Sequence, residues 1–209
     1  MTPKLIIFDF SGTLTYFKKF DPKKFFLGLT DLGLEVKTEE QKKLFFDSFR
    51  RNLGYSRNWL DFSQKILNSF SVKAEKKKIK KIAEFFRRKL KIQAYPDAKG
   101  IIDLPFKKAI LSANARFLIK AIFPRGFKIF GPAETKFLKP DPRAYLFVFK
   151  KLKVKPEEII MVGDEADRDL VVARELGMKT VLIDRENKIK NYSGIKINSL
   201  KELKNFLNI

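Results

Sequence analysis

The chain has 209 residues, with 45 Lys and Arg against 24 Asp and Glu for a formal charge of +21, and it contains neither His nor Cys. Those two absences exclude a Ser-His-Asp or Cys-His nucleophile, a Cys/His zinc site, a disulfide framework and thiol redox chemistry. Any chemistry must come from carboxylates, hydroxyls, amides, Lys, Arg or a metal held by oxygen.

The length suits one large domain or a core with one insertion, and 44% hydrophobic residues, with 22 Phe, supply the interior. No apolar stretch approaches the roughly 20 residues of a membrane span. Met1-Thr2-Pro3-Lys4 carries no signal-peptide pattern, so a cytoplasmic protein without a membrane partner is expected. The excess positive charge suits an anionic substrate or a nucleic-acid partner. It suits equally well the charged surface of a heat-adapted protein, so by itself it is only a hint.

Lys4 to Phe10 (KLIIFDF) is a short apolar run that ends in an acid and then Ser-Gly-Thr, the pattern of a buried parallel strand entering a loop. The region from about Tyr16 to Lys91 has helical periodicity and no convincing strand. Asp21-Pro22 opens its first helix and Gly33 ends it. Thr38-Glu39-Glu40-Gln41 is a capping box for a second helix running to about Leu53, before Gly54. Third and fourth helices are predicted at Asn58 to Phe70 and Ala74 to Leu90. The fourth places Ile79, Ile82, Ala83, Phe86 and Leu90 on one face and crowds Lys and Arg on the other, a face more commonly solvated than bound to nucleic acid. Tyr95 to Gly100 has the composition of a linker or hinge.

Four more strand-like runs follow: Lys108 to Ser112, Phe127 to Gly131, Ile159 to Gly163 and Lys179 to Asp184. Helical stretches lie between them at Asn114 to Phe123, Asp141 to Leu152 and Asp167 to Leu176, the last stopped by Gly177, and Ser199 to Leu207 reads as a closing helix. This alternation predicts an α/β fold, a Rossmann-like doubly wound parallel sheet with an inserted α-helical domain. The expected division is a core of residues 1–15 and 96–209 and an insert of residues 16–95.

Ligands of open parallel sheets bind beyond the carboxyl ends of the strands. The first run delivers Asp9, then Ser11, Gly12 and Thr13; the second delivers Ser112 and Asn114; the fourth delivers Asp164, with Asp167 and Asp169 behind it. Lys139 lies in a Lys-Pro-Asp-Pro loop before a helix. Two acids on neighbouring strands can hold Mg2+ and leave room for a phosphate oxygen. Lys139 and Ser112 can serve the remaining oxygens, and Asp9 can attack phosphorus. Thr13 and Asn114 complete the candidate substrate contacts. Asp167 is expected to cap its helix and Asp164 to bind metal.

Asp9-Phe10-Ser11-Gly12-Thr13-Leu14, Ile110-Leu111-Ser112-Ala113-Asn114, Lys139-Pro140-Asp141-Pro142 and Val162-Gly163-Asp164 with Asp169 together resemble the four ordered motifs of the haloacid dehalogenase-like (HAD) hydrolase superfamily. The resemblance covers roughly residues 4 to 15 and 96 to 207, and the helical insert sits where that superfamily places a cap. It implies Asp9 as nucleophile and metal ligand, Ser112 and Lys139 as phosphate contacts, and Asp164 as an Mg2+ ligand. It further implies a Ser11 backbone carbonyl on the metal and Asp169 behind it or on a metal-bound water. The expected substrate is a small, anionic phosphate ester.

One position departs from the pattern. Superfamily phosphatases usually carry a second Asp two residues after the nucleophile as general acid and base, and here Ser11 stands there. A serine hydroxyl cannot hold and return a proton near neutral pH, a service typically worth ~10²–10⁴ in rate. The lost acid, the cap, Ser112 and Tyr145 would also suit a haloacid dehalogenase. The acidic Asp164 and the lack of a Tyr before Gly12 do not. A binding protein that kept the fold and uses its basic face is the other alternative. Arg50, Arg51, Tyr55, Arg57, Asn58 and Trp59 cluster at a helix break and read equally as substrate contacts or as a surface turn with Trp59 packed inside.

Overall fold

A computed structural model describes residues 3–19 and 21–207, so the first and last two residues of the expected core, with Met1 and Thr2 of the N-terminal pattern, lie outside it. In chain order the elements are β1 (Leu5–Phe8), β2 (Thr15–Phe17), α1 (Pro22–Asp31), α2 (Glu39–Leu53), α3 (Trp59–Ser69), α4 (Lys76–Lys89) and β3 (Ile92–Ala94). A 3-10 segment at Pro96–Asp103 leads to β4 (Lys107–Leu111), α5 (Arg116–Ile122), β5 (Lys128–Phe130), α6 (Pro132–Thr135) and α7 (Pro142–Leu152). The chain ends with β6 (Ile159–Gly163), a π-turn at Ala166–Leu170, α8 (Val171–Glu175), β7 (Lys179–Ile183), β8 (Ile195–Ile197) and α9 (Glu202–Leu207). Two compact units result, one of Met1–Tyr16 with Gln93–Ile209 and one of Phe17–Ile92.

In the first unit six strands form one sheet in the order β5-β4-β1-β6-β7-β8, with every pairing parallel. Leu5 pairs with Lys107 on one side and Ile159 on the other, so β1 is central. The all-apolar sequence of β1 follows: Leu5, Ile6, Ile7 and Phe8 are covered on both faces and are at most 1% exposed. The winding runs outward from β1 through β4 and β5, then returns to β6 on its other side. That reversal makes a crevice beyond the ends of the central strands.

The five expected strands are present, and the structure adds β8, whose three residues were too short and too polar a run to declare themselves. Several other readings are corrected. Residues 15–17 and 92–94, at the ends of the supposedly strand-free helical region, pair as a two-stranded ribbon. The linker-like Tyr95 to Gly100 mostly winds into the 3-10 segment. The helix expected over Asp167 to Leu176 is instead the wide π-turn, where the Val171 N–H reaches back to the Ala166 carbonyl, followed by the short α8. No Asp167 side-chain cap forms. The closing helix begins at Glu202, not Ser199; Ser199 to Lys201 form a turn before it, in which the Ser199 N–H donates to Glu202 and the Ser199 hydroxyl and Leu200 N–H donate to Asp97.

In the second unit three helix starts are those the sequence encodes, while α4 begins at Lys76, two residues past the expected Ala74, with no side-chain cap at Glu75. Asp21 accepts from the Lys23 and Lys24 N–H groups, Thr38 and Gln41 close a capping box, and Asn58 accepts from the Asp61 N–H. The interior is aromatic: Phe86 lies 5.2 Å from Phe62 and 6.2 Å from Phe45 between ring centroids. Trp59 packs on Phe62 at 5.9 Å, which favours the packed-turn reading of that cluster. No helix among the described residues is long and apolar enough to cross a membrane.

Candidate active site

Three adjacent strands bring their ends together. β1 leads to Asp9, whose N–H still bonds to the Val162 carbonyl at 2.9 Å; β4 leads to Ser112 and β6 to Asp164. Gly12 carries a positive φ of +87°, and a Cβ there would overlap the Asp164 carboxylate, so only glycine lets the loop after Asp9 pass this close. Gly163 likewise leaves the space filled by Asp169.

Carboxylate oxygens of Asp9, Asp164 and Asp169 lie within 4.8 Å of one another. Lys139 enters from the loop before α7, after which the Lys139–Pro140 peptide is cis. Its Nζ lies 2.5 Å from an oxygen of Asp9 and 2.5 Å from one of Asp169, with a side chain only 5% exposed. Burial pushes the Asp9 carboxyl up; Lys139 opposes this and Asp169 reinforces it. Burial also lifts Asp164 to about 6, against a hydrogen bond from Thr13 and with help from Asp169. Lys139 itself is held above the usual lysine range: burial alone would lower it, but the two carboxylates outweigh that penalty.

The hydroxyls are oriented by Asn114. Its Nδ2 donates to Ser11 Oγ at 3.0 Å and to Ser112 Oγ at 3.2 Å, and its backbone N–H donates to Ser112 Oγ at 3.1 Å. With an acceptor site on each oxygen occupied, both hydroxyls keep their own proton to donate. A cavity of about 110 Å³ is lined by Asp9, Ser11, Ser112, Asn114, Lys139 and Asp169, together with Ala113, Glu165 and Arg168. It is a small polar space lined by two cations (Lys139 and Arg168), two hydroxyl donors and three acids (Asp9, Glu165 and Asp169), of a size for a small tetrahedral or planar anion.

The structure therefore gathers six of the eight singled-out residues around the cavity. Asp164 joins through the acid cluster, outside the cavity lining. Thr13 does not line the cavity: it is fully buried and its hydroxyl donates to Asp164 at 2.9 Å, so it orients an acid and does not meet substrate there. Tyr145 is also buried, its hydroxyl donating to the Arg168 and Asp169 carbonyls at 3.1 Å, where it supports the π-turn. Glu165 and Arg168 were not foreseen. Read as an ordinary helix, that stretch gave no sign that residues one and four past Asp164 both face the cavity, as the π-turn arranges.

The donor set fits Mg2+: three carboxylates in mutual reach, two buried and Asp164 partly so, repelling one another, offer the hard oxygen ligands that ion takes. A raised carboxyl pKa also makes a stability prediction. The folded state binds the Asp164 proton more tightly than the unfolded state, so this contribution favours folding at low pH and is lost as pH rises through about 6. Urea unfolding in EDTA should show on the order of 1 kcal/mol less stability at pH 8 than at pH 5, with Mg2+ restoring it at pH 8. Stability that instead rises between those pH values contradicts the assignment.

The family model for haloacid dehalogenase-like hydrolases matches residues 3–177. (S)-2-haloacid dehalogenase 1 of Pseudomonas sp. strain CBS-3 is 33% identical over 130 residues, 56% of this chain and 57% of that protein, so the match spans little more than half of that relative. Glyceraldehyde 3-phosphate phosphatase of Methanocaldococcus jannaschii is 41% identical over 70 residues, 31% of this chain and 30% of the phosphatase. Among solved structures, 2-haloacid dehalogenase from Pseudomonas syringae pv. Tomato DC3000 superposes with a TM-score of 0.72 at 15% identity, covering 99% of this chain and 98% of that one, a likeness of fold.

Proposed function

Because the chain belongs to the haloacid dehalogenase-like hydrolases, we propose that it transfers a phosphoryl group from a small anionic phosphate ester to Asp9 and then to water. The observation that carries this reading is the shared lysine: one buried ammonium holds Asp9 and Asp169 together beside Asp164, with two hydroxyl donors facing the same cavity. In the first step an Asp9 oxygen bonds to phosphorus while the bond to the ester oxygen breaks and the alcohol departs, taking up a proton. In the second, water attacks phosphorus, loses a proton and frees phosphate and Asp9. Lys139 offsets part of the cost that burial puts on ionising the nucleophile, and its charge with the Ser11 and Ser112 hydroxyls serves the phosphoryl oxygens. Asp9, Asp164 and the Ser11 carbonyl would hold Mg2+, with Asp169 behind them; when bound, the ion offsets the repulsion between carboxylates and phosphate. The helical unit would act as the cap, residues 16–95 being its expected extent.

Ser11 cannot shuttle the proton that the alcohol needs. Ser11→Asp should therefore raise turnover of alkyl phosphates by on the order of 10-fold or more, part of the ~10²–10⁴ that acid–base assistance supplies. An unchanged or lower rate in folded protein would mean that another group already moves the proton. The primary test is Mg2+-dependent release of p-nitrophenol from p-nitrophenyl phosphate at elevated temperature, with Asp9→Asn protein as the blank.

The similarity to a haloacid dehalogenase supports a second reading, in which Asp9 attacks the halogen-bearing carbon and displaces halide. That leaving group needs no proton, consistent with Ser11, but a carboxylate at Asp164 beside the nucleophile repels a halo-acid anion. Chloride release from 2-chloropropionate in EDTA, with no phosphatase activity, would favour it.

A further inference from the structure

Arg185 lies just past β7, outside the cavity lining, yet its guanidinium joins three separated segments of the α/β unit. Nε donates to the Gly12 carbonyl at 3.3 Å and Nη2 to the Thr13 carbonyl at 2.7 Å. Nη1 and Nη2 also bond the two carboxylate oxygens of Asp97, at 2.9 and 3.1 Å. The guanidinium carbon sits 3.6 Å from the ring centroid of Tyr95, which also packs against Tyr16 at 4.9 Å. Asp97 is fixed in turn by the Ser199 hydroxyl at 2.8 Å and the Leu200 N–H at 2.9 Å.

The loop held by those two carbonyl contacts is the one that follows Asp9. Gly12 passes against the Asp164 carboxylate and Thr13 donates to it, so a shift of this backbone shifts an acid of the site. The other end of the bridge, Tyr95 to Asp97, is where the chain re-enters the unit after β3. We propose that Arg185 is a positioning residue: it sets the Gly12–Thr13 backbone, and through it Asp164, and ties that placement to the re-entry segment. The proposal rests on the phosphoryl-transfer reading for its kinetic consequence, not for its structural one. Only a planar fork of N–H groups can reach two carbonyls and both oxygens of a carboxylate at once; a lysine ammonium keeps the charge and loses the span.

Arg185→Lys in the full chain is the test. The charge opposite Asp97 is retained but the contacts to both carbonyls are lost, so the protein should stay folded with a lowered unfolding midpoint, and turnover is compared well below that midpoint. Turnover of p-nitrophenyl phosphate should fall at least about tenfold in kcat with little change in KM, since small displacements of reacting groups are costly. Hydrogen exchange should quicken in a peptide covering residues 10–16, whose Gly12, Leu14 and Thr15 amides are hydrogen-bonded in the native loop, while the sheet stays protected. Arg185→Gln should lose more of both. Wild-type kcat and wild-type loop exchange in Arg185→Lys overturn the proposal. So does exchange rising throughout the unit, with kcat lost only in step with global stability. If the wild-type protein shows no Asp9-dependent turnover, the phosphoryl-transfer reading fails by itself, and loop exchange alone decides whether Arg185 holds the segment.

Discussion

Asp9→Asn should reduce turnover of p-nitrophenyl phosphate by on the order of 10⁴-fold or more, because an amide oxygen does not form the acyl-phosphate. The same change should not unfold the protein. Asp9 is a buried carboxyl whose charge is disfavoured by its surroundings, and it shares Lys139 with Asp169. A neutral amide removes that penalty and leaves the Lys139–Asp169 pair intact, so thermal stability in EDTA should equal or exceed that of the wild type. Activity and stability thus move in opposite directions at one position, as expected where a site holds groups in an unfavourable environment for the sake of chemistry. Wild-type turnover in Asp9→Asn would remove the nucleophile assignment; loss of turnover together with loss of folding would make the result structural.

Lys139→Met should act in the reverse sense, damaging fold and function together. It leaves Asp9 and Asp169 buried with no cation between them, and removing one partner of a buried ion pair costs about 3–5 kcal/mol. The deficit should be largest at pH 8 and smaller at pH 5, where Asp9, pushed up by its burial, can take up a proton instead. Urea unfolding at both pH values measures it, and a loss below about 1 kcal/mol at pH 8 would mean that the acids rearrange freely without the lysine. Mg2+ should recover part of the stability, because a cation binding only the folded state stabilises it by mass action. It should not recover turnover, since the fixed ammonium also serves the phosphoryl oxygens.

These two residues stand on opposite sides of what a reader of the sequence can know. Asp9 announces itself through local signals: a four-residue apolar strand, an acid at its end and a Ser-Gly-Thr loop, all contiguous. The same holds for Ser112 after β4, Asp164 after β6 and the Asp21, Thr38 and Asn58 caps of the helical unit, since strand runs and helix starts are encoded within a few residues. The parallel sheet follows from their alternation. Lys139 was visible as a residue, but its simultaneous hold on Asp9 and Asp169, 130 and 30 positions away, was not. Neither was the Asn114 amide shared by Ser112 and Ser11, the second 103 positions away, nor the Thr13 bond to Asp164 across 151.

The reason is the architecture itself. Parallel neighbours require long crossovers, so groups side by side at the sheet end are far apart in the chain, and their contacts depend on strand register and on side-chain directions set by packing. The π-turn that brings Glu165 and Arg168 to the cavity has no local signature distinct from a helix. Arg185, reaching back 172 positions to Thr13, could be read from the sequence only as a charged residue after a strand. By itself the sequence determined the elements, their alternation and the acids at the strand ends. Which acids share a cation, which hydroxyls donate and which arginine holds the loop were decided only when the central strands came into register, because that alone brings those groups within hydrogen-bond reach.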